Sequence, residues 1–331
     1  VQAEAVLDMI GARTEAARSA AMSQLEGELS KEINEIRGDL INITSAIEAS
    51  IDFPDEGLDM IKDEKEAEEA KRASARLAAL ISGFKRGMVL REGVSAVICG
   101  KPNVGKSSLM NLLLKRDRVI VTPVPGTTRD AVEETIDLNG IPIRLVDTAG
   151  ITEGADIVEK EGVKKSARYL GTADIALLVL DGSRALDDED IGIVRMIGGK
   201  RKLAIINKCD MPKRIDPEGV RGLFKNDKTI EISVVKRLNI DILEKAIVDI
   251  ILNGDFHQGE PALVTNARHK ELLDKSLANM LSVNKGLAQA RPPELIAIDL
   301  KEAIYNLGLI VGKSVSDDIL DRIFERFCIG K

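Results

Sequence analysis

The run Gly100-Lys101-Pro102-Asn103-Val104-Gly105-Lys106-Ser107 matches the pattern G-x-x-x-x-G-K-[ST], with an apolar strand-like run before it and an apolar helix start after it. That context matters because the chemistry is done largely by backbone. N–H groups of such a loop surround phosphate oxygens, the Lys106 ammonium reaches β- and γ-phosphates, and the Ser107 hydroxyl ligates Mg²⁺. Asn103, Val104, Gly105 and Ser108 complete the residues expected along the nucleotide. A second glycine-containing stretch, Gly308 to Ser314, is one residue short between its glycines and follows a helical pattern, so it reads as structural.

Three further runs have spacings that suit the same ligand. Asp147-Thr148-Ala149-Gly150 ends a strand-like run, where Asp147 would hold Mg²⁺ through water and the Gly150 N–H would sense a γ-phosphate. Asn207-Lys208-Cys209-Asp210 ends another. A carboxylate at Asp210 accepts from both N1–H and the 2-amino group of guanine, and adenine offers neither donor. In Gly126-Thr127-Thr128-Arg129-Asp130, Thr128 would complete the Mg²⁺ shell only when a γ-phosphate is present. Together the four runs predict a domain that binds GTP and GDP with Mg²⁺. Ser233-Val234-Val235, followed by Lys236, stands where such domains usually carry Ser-Ala-Lys. A backbone N–H near Val234 would meet guanine O6, and Val235 changes how that loop packs on the base. Many GTPases orient water with a glutamine just after D-x-x-G. Here that residue is Ile151, which cannot hydrogen-bond, so another group must do this.

The elements that must hold these runs follow from hydrophobic periodicity. Leu29, Ile33, Ile36, Leu40, Ile43 and Ile47 fall on one stripe of a long helix, which Asp52-Phe53-Pro54-Asp55 ends. A second long helix is expected to carry the charged run from Lys62 to Arg72 on a solvated face and Leu77, Leu80, Ile81, Phe84 and Met88 on a buried one. From Val94 onward, short apolar runs at 94–99, 131–138, 141–146, 175–180, 203–206 and 229–232 alternate with helical stretches. Asn139-Gly140 makes a hairpin turn between the second and third. Helical patterns return over 267–290, 294–307 and 316–327. This order predicts an α/β P-loop GTPase domain of the Ras-like type inserted into a discontinuous all-α domain. The expected boundaries are 1–93 for the first helical half, 94–254 for the G domain and 255–331 for the second helical half.

Composition excludes several alternatives. A chain of 331 residues with 44% apolar content suits about two domains with real cores. Lys+Arg 47 against Asp+Glu 54 gives a net charge of −7, which argues against a whole-surface footprint for nucleic acid, although a local basic patch fits. Two Tyr, six Phe and no Trp are too few for base-stacking platforms. Cys99, Cys209 and Cys328 are odd in number and widely spaced, and His257 and His269 are the only histidines. Neither a disulfide framework nor a zinc centre is expected, and a cytoplasmic location fits. The greasiest run, Ile175 to Leu180, is far too short to span a bilayer, so no membrane insertion is expected. The chain opens at Val1 inside a helix-like pattern, which suggests that something upstream has been removed.

On these residues the α/β part resembles the translation-factor-related GTPases. The whole chain resembles the MnmE (TrmE) family of tRNA-modification GTPases, through Asp52-Phe53-Pro54-Asp55-Glu56, the Gly126–Asp130 run and the terminal Phe327-Cys328-Ile329-Gly330-Lys331. The resemblance implies that Asn103 and the backbone of the 122–127 loop, at Thr122, Val124 and Thr127, hold a K⁺ where other systems place an arginine finger. It implies that Glu159 orients the attacking water, with Lys106, Thr128, Arg129 and Asp130 completing the catalytic set. It further implies homodimers whose G domains close face to face on GTP, with Arg129 and Asp130 near the junction. Cys328 would serve tRNA modification rather than hydrolysis. The implied reaction adds an aminomethyl or carboxymethylaminomethyl group at C5 of the wobble uridine of certain tRNAs. Methylenetetrahydrofolate is the implied one-carbon donor, bound mostly by an N-terminal domain missing here, and the FAD-dependent MnmG (GidA) is the implied partner. Two other classes are weaker: a ribosome-assembly GTPase would carry an appended RNA-binding module, and a membrane-remodelling GTPase would carry a lipid-binding patch.

Overall fold

The computed structural model describes residues 1–52, 64–117, 133–147, 170–224, 228–252 and 264–313. The chain divides into two compact units. Val1–Ala12, Arg18–Arg91 and Gln258–Lys331 form one, and Arg13–Ala17 with Glu92–His257 form the other.

The first unit is helical. After α1 (Gln2–Gly11) and α2 (Glu15–Glu26) comes α3 (Glu28–Asp52), whose predicted stripe of Leu29, Ile33, Ile36, Leu40, Ile43 and Ile47 is wholly buried. The second long helix of the sequence reading is two helices, α4 (Glu64–Ser82) and α5 (Phe84–Glu92), with a turn at Gly83 between them. The apolar residues stay in phase across the turn, so the break leaves no mark on the pattern. The expected solvated face is interrupted as well, because Glu66 is buried in the middle of it. Arg76 of α4 pairs across to α3 through Glu32 and Glu35, each at 2.8 Å, and Asp39 at 3.3 Å.

Two C-terminal helices, α10 (Ala267–Ala288) and α11 (Pro293–Val311), complete this core. α11 packs on α3 and on α10, and α10 packs on α4. Leu77, Leu80, Leu273, Met280, Ile296, Leu300 and Ile304 meet the α3 stripe in one apolar cluster. The helical unit is therefore assembled from segments on both sides of the α/β part. α11 starts at Pro293, where the lost N–H would have no intrahelical partner, and ends at Gly312 in a left-handed conformation, φ 76°. Gly308 lies within that helix, in keeping with the structural reading of 308–314.

The second unit is built on a six-stranded sheet of order β2-β3-β1-β4-β5-β6. Its strands are β1 (Val94–Cys99), β2 (Glu133–Leu138), β3 (Ile141–Asp147), β4 (Ile175–Asp181), β5 (Arg201–Asn207) and β6 (Thr229–Glu231). Every pairing is parallel except β2 with β3, which form the predicted hairpin. Asn139 at φ 54° and Gly140 at φ 87° make the doubly left-handed turn that such a two-residue connection needs. β1 and β4 are nearly unbroken apolar runs because helices cover both faces of a parallel sheet. Among the described residues after β1, its helices are α6 (Lys106–Asp117), α7 (Asp188–Ile197), α8 (Pro217–Phe224) and α9 (Ile240–Leu252).

Candidate nucleotide site

The phosphate loop runs from the end of β1 to the start of α6, where the Gly105 carbonyl accepts the first helical bond from Leu109 N at 2.9 Å. Both motif glycines are required by their surroundings. A Cβ on Gly100, φ 142°, would lie 2.3 Å from the Val179 carbonyl oxygen, and one on Gly105, φ 104°, would lie 2.3 Å from Asn207 Nδ2. Asn103 also has positive φ, 62°, a conformation that asparagine tolerates better than most residues. The loop thus turns directly into the start of α6, with the positive end of the helix behind it.

Lys106 is buried, and its Nζ donates to the Lys101 carbonyl at 2.7 Å. Ser107 and Ser108 are exposed on the first helical turn, Asn103 is exposed on the loop, and Val104 is wholly buried beneath it. Asp147 closes β3 in register with Ile98, one strand away from the loop's root.

At the end of β5, Asn207 is buried and works in two directions. Its Nδ2 donates to the Val104 carbonyl at 2.9 Å, and its Oδ1 accepts from Val234 N–H at 3.1 Å. The Val234 N–H assigned to guanine O6 is thus on Asn207 in this structure. One side chain joins the phosphate loop to the loop after β6, which itself closes through Ser233 and Leu238. Ser233 Oγ accepts from Lys236 N at 3.0 Å, and Val235 is 81% exposed at the tip.

Lys208 takes a left-handed φ of 67°, and its Nζ donates to Asp181 Oδ2 at 2.6 Å. Burial raises the Asp181 carboxyl, but bonds from Lys208 and from the Ser183 hydroxyl and N–H outweigh it and hold it below its ordinary value. Asp210 stands exposed just beyond. Cys209 N–H donates to the Ile232 carbonyl at 3.1 Å. Cys99 is buried at the root of the loop, where burial pushes its thiol up to about 12, so it behaves as a small core residue. Burial, then Asp210 and Glu231, raise the Cys209 thiol too.

The structure therefore brings together Asn103, Val104, Gly105, Lys106, Ser107, Ser108, Asn207, Lys208, Asp210, Ser233 and Val234 around the ends of β1, β5 and β6. Thr122, Val124, Thr127, Thr128, Arg129, Asp130, Gly150, Glu159 and Cys328 lie outside the described residues. Sequence reasoning missed two groups that shape the site, Lys101 and Asp181. Lys101 stands at an unspecified position of its motif and Asp181 in none, and their charged partners, Asp187 and Lys208, lie 86 and 27 residues away. Among the described residues no group of three or more His, Cys, Asp or Glu side chains is arranged to hold a metal by itself.

A mostly parallel sheet, a glycine-bent phosphate loop at its centre and Asn207 at the end of β5 bonded to that loop define a P-loop GTPase domain inserted in a helical one. The MnmE helical domain model matches residues 1–328. Two curated relatives, each named tRNA modification GTPase MnmE, come from Acetivibrio thermocellus (41% identical over 330 residues) and Carboxydothermus hydrogenoformans (43% over 333). Each alignment covers 100% of this chain and 72% of the relative. Among solved structures, Aquifex aeolicus Era bound to GDP·AlF4⁻ is similar over 57% of this chain and 67% of that one, at 28% identity and a TM-score of 0.37. The chain belongs to the MnmE family, and it is a GTP hydrolase.

Proposed function

We propose that this GTPase acts in tRNA modification, at C5 of the wobble uridine, with G-domain closure as its switch. The observation that supports the reading is similarity along this whole chain, and 72% of each relative, to proteins named tRNA modification GTPase, joined to a phosphate loop already bent for a nucleotide. The MnmG flavoprotein is the proposed partner and a homodimer the proposed assembly, with methylenetetrahydrofolate as one-carbon donor and Cys328 serving the modification. Among the described residues no helix is long and apolar enough to cross a membrane, and a cytoplasmic site of action is part of the proposal. The proposed boundaries are 1–93, 94–254 and 255–331.

The residues present suit the ions that such a reaction uses. Ser107 offers an exposed hydroxyl at the helix start, and Asp147 ends the neighbouring strand, a hard oxygen set that fits Mg²⁺ with Thr128 as third ligand. Asn103 carries a side-chain carbonyl on the exposed rim of the loop. With Thr122, Val124 and Thr127 it forms the proposed K⁺ set. Bound there, the cations would supply positive charge against that developing between β- and γ-phosphates. Lys106 would leave the Lys101 carbonyl for the phosphates. Glu159 would orient the attacking water, a task Ile151 cannot perform, and Arg129 and Asp130 would lie near the dimer junction.

Steady-state GTP hydrolysis in KCl against NaCl, with light scattering in GDP and aluminium fluoride, tests the reading. Faster turnover and dimers in K⁺ alone are expected. Equal rates in both salts would overturn the K⁺ mechanism and point to an activating protein.

A further inference from the structure

Lys101 has no part in the chemistry above, yet it is 4% exposed, an unusual state for a loop lysine. Its ammonium contacts the Asp187 carboxylate and lies 3.5 Å from Asp190 Oδ2 and 3.6 Å from Glu189 Oε2. These acids start α7, and two of them already form its cap. Asp187 Oδ1 accepts from Glu189 N at 3.1 Å and Asp190 N at 3.2 Å, while Asp190 Oδ2 accepts from Asp187 N at 3.3 Å. Asp190 is itself 3% exposed. The lysine therefore plugs into a closed capping box rather than lying along a surface.

The other end of the same residue faces Lys106. The Lys101 carbonyl accepts from Lys106 Nζ, so one residue is gripped by α7 through its side chain and touches the phosphate-binding lysine through its backbone. Gly100 before it cannot carry a Cβ, because that atom would lie 2.3 Å from the Val179 carbonyl oxygen. We propose that Lys101 is a positioning residue that ties the phosphate loop to the start of α7, so that nucleotide affinity depends on the carboxylate of Asp187, 86 residues away. The proposal rests on residues 100–107 being the phosphate site. It gives α7 a direct hold on that site through the buried Lys101 ammonium and the half-exposed Asp187 carboxylate, with Asp190 and Glu189 farther off.

The test uses the full chain, with N-methylanthraniloyl-GDP as probe and thermal unfolding without nucleotide as a parallel readout. Asp187→Ser is the decisive variant, because serine caps a helix about as well as aspartate but carries no charge for Lys101. Its unfolding midpoint should match the unaltered protein, while probe affinity falls about tenfold or more through misplacement of the loop. Lys101→Met should lose at least as much, and Lys101→Arg should recover most of it. Unchanged affinity in both Asp187→Ser and Lys101→Met, with the unaltered protein binding normally, overturns the proposal alone. So does a Lys101→Met protein that melts early yet binds the probe with full affinity once folded. An unaltered protein that fails to bind the probe overturns the phosphate-site reading, and this proposal with it.

Discussion

Asn207 Nδ2 donates to the Val104 carbonyl at 2.9 Å, which fixes the end of β5 against the loop between β1 and α6. Because Oδ1 of the same amide accepts from Val234 N–H, three loops share one buried side chain. Asn207→Asp keeps the shape but turns an acceptor toward the Val104 carbonyl. The expected result is a stability loss of about 1–3 kcal/mol and weaker binding of both GDP and GTP. Thermal unfolding and a fluorescent-nucleotide titration measure the two effects.

Asp210 is exposed and positioned beyond the Lys208–Asp181 pair, where two guanine donors would meet its oxygens. Asp210→Asn replaces one acceptor with a donor. Guanine then loses a bond while xanthine, with an oxygen at C2, gains one. Competition binding should show GDP affinity falling by about tenfold or more and the preference shifting toward xanthosine diphosphate. Equal losses for both bases would remove Asp210 from base reading.

Glu159→Ala should lower turnover by about a hundredfold or more, the usual weight of a group that positions or activates water. Nucleotide affinity should change little. Single-turnover hydrolysis beside equilibrium binding separates these, and an unchanged rate would remove Glu159 from the mechanism.

In the helical unit, His269 is 1% exposed, with its Nε2 2.9 Å from Glu4 Oε2 and 3.0 Å from Arg268 Nη2. Burial lowers its imidazole from 6.5 to about 4, with Glu4 opposing and Arg268 assisting. The folded state then binds fewer protons than the unfolded one between those values. Stability from this residue is full above 6.5 and lost as pH falls toward 4. By roughly pH 5.5 the loss should be about 1 kcal/mol. Comparing denaturant midpoints of the unaltered protein and His269→Gln across this range checks the sign, since the variant lacks this slope.

Much of the α/β unit is legible in the sequence because local rules decide it. The strand runs are apolar and short, and Asn139-Gly140 leaves only one kind of turn. The α3 stripe is equally plain. The turn at Gly83 is not, because Leu80, Ile81 and Phe84 keep a helical phase on both sides of it and a single glycine is tolerated within helices. Glu66 looks like one more charge in a charged run until the packing buries it. Within the site, the glycine and lysine positions are fixed by spacing, whereas Lys101 and Asn207 act on partners that only the sheet order brings near. No periodicity encodes a contact between residues so far apart.

The division of the helical core between Leu29–Leu80 and Val264–Ile310 sets a timetable for synthesis. Chain leaves the ribosome from its N-terminus, so α3 and α4 emerge long before α10 and α11 exist to cover them. In that interval Ile33, Ile36 and Leu40 have water or a chaperone for company, while the sheet between the two halves can close on its own contacts. A ribosome stalled past α9 would then display the whole α/β unit together with a helical half that still lacks α10 and α11.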